Sequence, residues 1–320
     1  MKISIVIPIY NEEKNISELY RRLKVILVKD FPSFDYEILY VDDGSNDDSI
    51  KYLNDICLLD SKVKVLQFSR NFGHHIAITA GLDFAEGDFV VMMDGDLQDQ
   101  PEEIIKLYSK IEEGYHVVFG VRQNKKFSFF RRFFSKCFLK LINFLIKEKI
   151  EINTEIFRIM TKQVVLEIKK LREQQRYVIG IVGWVGFRHI GVLVEHGERI
   201  YGESKYNLRK QLILAFDAIF SFSDYLLRFI TYIGFLFVLL SFILLFYILF
   251  KTLIFGNPVQ GWTSIVSVIF FVGGIQIFLL GIIGQYLGRV YLEVKGRPLY
   301  VIKNNINFHG QKGLEKFCDS

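Results

Sequence analysis

Along the first 120 positions, apolar residues fall in short unbroken runs separated by charged, turn-rich stretches. Ile3–Tyr10 (ISIVIPIY) is such a run, rich in β-branched residues, and reads as a strand buried on both faces of a parallel sheet. Tyr36–Val41, Val63–Phe68, Asp88–Met93 and His116–Gly120 predict four more strands. Helical patterns lie between them. One opens at Asn11 as N-cap, with Glu12 and Glu13 in its first turn. The others are Asp47–Leu58, His74–Ala85 and Pro101–Glu112, the last with Pro at its start. Strands alternating with short helices predict an α/β fold with a doubly wound parallel sheet.

Beyond residue 210 the pattern changes. Phe229–Phe250 and Trp262–Leu287 carry no charged residue. Each exceeds the ~20 residues needed to cross a hydrocarbon core of ~30 Å, so they predict a transmembrane hairpin. Phe127–Ile146 and Leu208–Leu227 mix Phe, Leu and Ile with Lys and Arg at helical spacing, which predicts basic amphipathic helices in the membrane interface. The expected organisation is an α/β core over 1–125 and a second part of the soluble domain over 126–210. A juxtamembrane helix over 211–228, spans at 229–250 and 262–287, and a tail over 288–320 complete it.

Charge refines this picture. Arg209, Lys210 and Arg228 precede the first run, and Arg289, Lys295, Arg297 and Lys303 follow the second. The intervening Lys251–Gly261 has one basic residue, which predicts both termini on the cytoplasmic side of a multi-pass cell (inner) membrane protein. Residues 1–10 lack the features of a signal peptide, so the soluble domain is expected in the cytoplasm. The net charge of +5 is too mild for a nucleic-acid partner and suits anionic lipid headgroups where it clusters. Gly273, Gly274, Gly281, Gly284 and Gly288 permit close helix packing, within the hairpin or in a homo-oligomer. Three cysteines without metal or disulfide spacing exclude a zinc or disulfide framework. No GxGxxG or P-loop pattern follows the first strand, which argues against a dinucleotide oxidoreductase or P-loop NTPase.

Ligands of such sheets bind beyond the carboxyl ends of the strands. Three of those ends carry unusual sequences: Pro8-Ile9-Tyr10-Asn11-Glu12, Asp42-Asp43-Gly44-Ser45 and Asp94-Gly95-Asp96. Two carboxylates separated by a small residue can approach one divalent cation, and oxygen ligands suit Mg²⁺ or Mn²⁺. Gln98 can add a neutral oxygen. Asp42 and Asp43 read either as turn residues or as acceptors for a ribose hydroxyl or a base N–H. The loop Ser69–His74 offers its backbone to the same crevice.

In chain order, IVIPIYNEE, VDDGSND, SRNFGHHIAITAGLDFAEGD and MDGDLQDQPEEI resemble the motifs of the GT-A (Rossmann-like) family 2 glycosyltransferases. With Gly202-Glu203-Ser204-Lys205-Tyr206 and two following spans, the chain resembles the polyprenyl-phosphate branch. That branch includes dolichyl-phosphate mannose synthases and bacterial undecaprenyl-phosphate glucosyltransferases. The resemblance implies an inverting transfer of a hexose, glucose from UDP-glucose, to undecaprenyl phosphate, with GDP-mannose and dolichyl phosphate as the alternative. It implies that Pro8, Tyr10 and Glu12 line the nucleotide pocket, with Asp42 and Asp43 near base and ribose. Asp94, Asp96 and Gln98 would hold the metal and donor diphosphate, with Asp96 and Arg122 as the catalytic pair. Arg131, Arg199, Ser204 and Lys205 would meet donor or acceptor phosphates; guanidinium forks and ammonium charges suit phosphate.

One position departs from the family. The usual Gly-Asp-Phe-Arg is Glu155-Ile156-Phe157-Arg158 here, so Ile156 stands where a catalytic base is commonly assigned. Two other functions compete with the transferase. A processive polysaccharide synthase would need more spans and a QxxRW-type motif, of which Gln174-Gln175-Arg176-Tyr177 is a faint echo. A non-catalytic glycolipid-binding or flipping protein would need a polar pathway, and the two spans hold no charge.

Overall fold

The computed structural model describes residues 1–122, 156–174, 176–197 and 261–308, together with residues 243, 250 and 254. These fall in two compact units. The first holds the described residues up to 197 and those from 298 onward; the second includes 261–297.

The first unit opens with β1 (Lys2–Ile9), α1 (Ile16–Lys29), β2 (Asp35–Asp42), α2 (Ser49–Leu59), β3 (Val63–Phe68), α3 (His74–Phe84) and β4 (Phe89–Met92). A 3₁₀ turn at Pro101–Glu103 leads into α4 (Ile104–Glu112) and β5 (Val117–Arg122). Then come β6 (Arg158–Thr161), α5 (Lys162–Lys170), α6 (Val178–Val185), β7 (His189–Val194) and, after the second unit, β8 (Ile302–Ile306). All eight strands join one sheet in the order β7-β5-β6-β4-β1-β2-β3-β8.

The alternation along β1 shows why the chain layers as it does. Ile3, Ile5, Ile7 and Ile9 point to one face and pack with Ile16, Leu19 and Leu23 of α1, Leu53 of α2 and Leu107 of α4. Val6 points to the other face, into a second core with Ala77 and Ile78 of α3, Val164 and Ile168 of α5, and Val178 and Ile181 of α6. Helices therefore cover both faces, and a strand buried on both sides needs the continuous apolar run seen in the sequence.

The sheet is mixed rather than wholly parallel. The β3-β2-β1-β4 portion is parallel, but β6 inserts antiparallel between β4 and β5, and β8 pairs antiparallel with β3. Nor does a helix begin at Asn11. Asn11 takes a left-handed backbone (φ 55°), α1 starts at Ile16, and Asn15 occupies the N-cap position. Only residue types such as Asn enter that left-handed region readily.

The expected tail at 288–320 is partly a sheet component. Beside β8, the ring of Tyr300 stacks on Phe68, with centroids 5.3 Å apart, and its hydroxyl donates to Asp83 Oδ2 at 2.8 Å. Arg172 donates to both oxygens of the same carboxylate at 2.8 Å. Asn307 Nδ2 donates to the carbonyls of Cys57 and Val63 at 3.0 and 2.9 Å.

In the second unit, α7 (Trp262–Val294) is continuous over 33 residues and continues past the expected span end at Leu287. Among the described residues, no helix is long and apolar enough to cross a membrane. Several side chains of α7 lie outside the described set, as do the amphipathic segments at 127–146 and 208–227 and nearly all of the first span.

The end of the sheet away from the strand carboxyl termini is held by Glu37. Its carboxylate is 2% exposed and accepts from Ser4 Oγ (2.6 Å), Lys64 Nζ (2.8 Å) and the Glu86 N–H (2.8 Å), with Lys2 Nζ at 3.0 Å. Burial pushes the Glu37 carboxyl up, but the bonds from Lys64, Ser4, Glu86 and Lys2 outweigh it and hold it below the ordinary glutamate value. A lowered folded-state pKa stabilises the fold above the unfolded value of roughly 4.3, and that stabilisation is lost as pH falls through the folded pKa. Glu37→Gln is expected to lower stability at pH 7 by about 2–4 kcal/mol, because Lys2 and Lys64 lose their buried partner and keep only the more exposed Glu86. Chemical denaturation of both proteins from pH 7 to pH 3 checks this: the gap should narrow below about pH 4.3. A gap independent of pH would show that the charge contributes nothing.

Candidate functional site

Parallel strands end on one edge. β1, β2, β3 and β4 run together, and β5 runs the same way because it is antiparallel to β6, which is antiparallel to β4. That edge therefore gathers Pro8 near the end of β1 with Tyr10 and Glu12 beyond it, Asp42 at the end of β2 with Asp43 beyond it, Asp94, Asp96 and Gln98 after β4, and Arg122 at the end of β5. Asp42 sits in register with Ile9, and Met92 with Val6, so three of these ends are immediate neighbours.

The β1 and β2 exits are laced together. The Asn11 and Glu12 N–H groups donate to Ser45 Oγ and Ser49 Oγ, both at 3.0 Å, and Asn11 Oδ1 accepts from the Asn46 N–H at 2.8 Å. The left-handed turn at Asn11 makes this exchange possible, since it aims N–H and side chain at the same loop. Glu12 Oε2 accepts from Asn15 Nδ2 at 2.6 Å, so this carboxylate also braces the start of α1. Tyr10 is half-buried, and Pro8 is buried within β1.

Asp42 and Asp43 have different surroundings. Asp42 Oδ1 accepts from the Ser45 N–H at 3.2 Å, while Oδ2 is a buried acceptor without a hydrogen-bond partner. Burial pushes its carboxyl up, against the Ser45 bonds and the nearby Gln67 amide. A buried acceptor lacking a donor is the property a ligand N–H or hydroxyl would satisfy. Asp43 is instead occupied by protein. Its Oδ1 accepts from the Phe72 N–H at 2.7 Å and Oδ2 from the Gly73 N–H at 3.0 Å, at 3% exposure. The expectation that Asp43 faces base or ribose thus meets a carboxylate already committed to the β3–α3 loop. Gly44 makes that approach possible: a Cβ there would sit 2.6 Å from the Arg70 carbonyl carbon.

At the β4 exit, Asp96 Oδ1 accepts from the Gln98 N–H at 3.1 Å, and the Asp94 N–H donates to Asp99 Oδ2 at 3.2 Å. Gly95 lies under the end of β1, where a Cβ would be 2.5 Å from Ile9 Cδ1, so the residue between the carboxylates has to be small. The segment is tied to the exit of β7: Asp99 bridges His196, and the Gly197 N–H donates to the Gln98 carbonyl at 2.9 Å. Among the described residues, no group of three or more His, Cys, Asp or Glu side chains could hold a metal ion. Two carboxylates and a neutral amide oxygen fit a hard divalent cation that completes its shell with water and substrate phosphate, not one caged by protein alone.

No histidine pair in the sequence has metal-ligand spacing, yet His74 reaches this site. Its Nε2 lies 3.3 Å from Asp94 Oδ1. Burial pushes its imidazole down to about 4, against the charges of Asp43 and Asp96. His75 is likewise pushed down to about 4 by burial, and its ring meets Tyr177 edge-on at 5.3 Å. Arg158 in β6 is 2% exposed, and burial pushes its guanidinium down to about 10, so it still carries its charge at neutral pH. Arg176, the arginine of the QQRY segment, donates to Thr79 Oγ1 at 2.8 Å and to the carbonyls of Ile168 and Leu171. It is a buried clamp between α3 and the end of α5. These side chains lie within or beside the family-like segments, but their contacts come from the fold.

Arg122 is placed by its backbone at the end of β5. Arg131, Glu155, Arg199, Ser204 and Lys205 lie outside the described residues. Ile156 packs against the apolar core of α3, α5 and α6, and its carbonyl accepts from Arg158 Nε at 3.3 Å.

With this geometry in hand, the family model described as Glycosyl transferase family 2 matches residues 4–169, more than half of the chain. The chain belongs to glycosyl transferase family 2. The uncharacterized glycosyltransferase YkcC of Bacillus subtilis (strain 168) is 41% identical over 313 residues, covering 98% of this chain and 96% of that protein. The SfII prophage-derived bactoprenol glucosyl transferase of Shigella flexneri is 39% identical over 306 residues, covering 95% and 98%. Among solved structures, glucosyl-3-phosphoglycerate synthase from Mycobacterium tuberculosis, in complex with Mn²⁺, UDP and phosphoglyceric acid, aligns with TM-score 0.50 at 18% identity. It covers 68% of this chain and 76% of that one, a likeness of fold alone. As a family 2 member, this chain is a glycosyltransferase with a GT-A fold.

Gly44→Ala is expected to cost about 2–4 kcal/mol, from the left-handed backbone (φ 71°) and the contact with Arg70. Gly183→Ala in α6 meets nothing within 4 Å and is expected to gain about 0.5–1 kcal/mol. Thermal denaturation of the two variants should move Tm in opposite directions.

Proposed function

We propose that this glycosyltransferase moves glucose from UDP-glucose to polyprenyl phosphate. The observation that carries this reading is the end-to-end similarity to a bactoprenol glucosyl transferase, 39% identical across 95% of this chain. The GT-A edge agrees with it, since it brings two carboxylates and a buried unsatisfied acceptor to neighbouring strand ends.

In this reading Asp42 Oδ2 accepts a hydrogen bond from the nucleotide, and Pro8 and Tyr10 border that pocket. Asp94 and Asp96, with Gln98, would hold Mg²⁺ or Mn²⁺. When bound, the cation neutralises the charge that develops on the departing diphosphate, so UDP leaves without being protonated. A phosphate oxygen of the lipid attacks the anomeric carbon from the opposite side. The bond from that carbon to the UDP oxygen breaks, its electron pair leaves with UDP, and the configuration inverts. Arg122, at the end of β5, and Arg131, Arg199, Ser204 and Lys205 are assigned to the donor and acceptor phosphates.

Ile156 fits this chemistry. A phosphate monoester with a second pKa of ~6 is already largely ionised at pH 7. It needs positioning more than a base. The uncharged runs 229–250 and 262–287 support placing the enzyme on a membrane, and the basic residues that flank them support termini on the cytoplasmic side, facing the leaflet that holds the lipid acceptor.

Transfer of label from UDP-glucose to undecaprenyl phosphate tests the reading. Asp96→Asn, or EDTA treatment of the wild type, is expected to reduce the rate by about 10²–10³-fold or more. Ile156→Asp should give no gain. No transfer from any nucleotide sugar by folded protein would sink the proposal, and a large gain with Ile156→Asp would restore the need for a base.

A further inference from the structure

His74 has no part in the chemistry above, yet the fold brings it to the metal-side carboxylates. Resting on the proposed function, we propose that His74 is a positioning residue for Asp94. Its Nε2 lies 3.3 Å from Oδ1, out of hydrogen-bond alignment, and closing that contact when cation and donor bind would leave Oδ2 as the oxygen presented to them. The two side chains are 40% and 32% exposed overall, but the facing Nε2 and Oδ1 atoms are themselves buried.

Three independent contacts fix where His74 stands. It is the first residue of α3, directly after Gly73, and the Phe72 and Gly73 N–H groups are gripped by the buried Asp43 carboxylate. One turn further, Thr79 Oγ1 donates to the His75 carbonyl at 2.8 Å and accepts from Arg176 Nε at 2.8 Å. The adjacent His75 ring is braced against Tyr177. The first turn of α3 is therefore clamped at both ends, and its leading imidazole has little freedom relative to β4. At 3.3 Å the two atoms are within reach of a hydrogen bond but are not aligned for one. Catalytic hydrogen bonds commonly tighten only when substrate binds. An acidic ligand whose second oxygen is hydrogen-bonded keeps one orientation, and outer-shell partners of this kind are worth about 10–100-fold in metal affinity.

The test is Mn²⁺ binding, followed by electron paramagnetic resonance, to the purified full-length chain in the presence of UDP. His74→Leu removes the donor and is expected to weaken Mn²⁺ binding about 10–100-fold. His74→Gln keeps an N–H at nearly the Nε2 position and should stay close to wild type. Asp94→Ala supplies the floor, and adding His74→Leu to it should weaken binding no further, because the histidine acts through that carboxylate. Wild-type affinity in His74→Leu would overturn the inference while leaving the proposed function intact. Equal losses in His74→Leu and His74→Gln would also overturn it, pointing to packing rather than the N–H. A wild type that binds no Mn²⁺ with UDP would bring down the metal-assisted reading and this inference together.

Discussion

The arrangement at the strand ends depends on one buried carboxylate. Asp43 lies where β2 leaves the sheet, out of reach of solvent, and a carboxylate there must find donors or lose its charge. It finds them in two consecutive N–H groups at the start of α3. That exchange fixes the β3–α3 loop, and with it the direction in which α3 departs. Burial pushes the carboxyl up, against the Phe72 and Gly73 bonds. The same contact requires that no side chain stand between β2 and the loop, and Gly44 meets that requirement. The aspartate pair after β2 therefore divides its labour: one carboxylate builds the wall of the crevice, and the other keeps an acceptor in need of a partner.

The sheet's two ends solve opposite problems. At the far end Glu37 is as buried as Asp43 but is surrounded by lysines and a serine hydroxyl, and the result is a closed ionic cluster with its carboxyl held low. At the ligand end burial raises the carboxyls of Asp42 and Asp43, and the like charges of Asp47 and Asp42 beside them add to it. A cluster of satisfied charges stabilises; a cluster of like charges costs stability unless a ligand cation arrives. The difference marks which edge is structural and which is functional more sharply than the strand order does.

Strands β1 to β5 and their helices could be read from the sequence because each is a local pattern: an apolar run, a turn, an amphipathic stretch. The strands that make the sheet mixed could not. β6 is four residues with an arginine at its head, and β8 reads IKNNI; both exist because long-range pairing supplies what local propensity lacks. Asn11 misled for a related reason. A residue that caps helices also enters the left-handed region, and here the hydrogen bonds on offer from Ser45 and Asn46 decided between the two. At the site, Asp94 and Asp96 were legible because their spacing is local and their neighbour must be small. His74, Arg158 and Arg176 were not, because each acquires its meaning from an element distant in the chain.

The substitution at Ile156 can be understood on the same physical terms. An aspartate at that position would place a carboxylate against the apolar core of α3, α5 and α6, beside a carbonyl already accepting from the buried Arg158. Desolvation would push such a carboxyl up, and a raised pKa suits a base only when the nucleophile must lose a proton. A hydroxyl acceptor imposes that demand. A lipid phosphate does not, since one of its oxygens is already anionic at neutral pH. What it demands instead is cationic company and a fixed line of approach, which places the burden on charges along the same edge. An isoleucine there removes a desolvation cost and contributes packing, and it is compatible with catalysis when the acceptor arrives already charged. The residue thus argues for the class of nucleophile, a preformed anion, more directly than any of the carboxylates do.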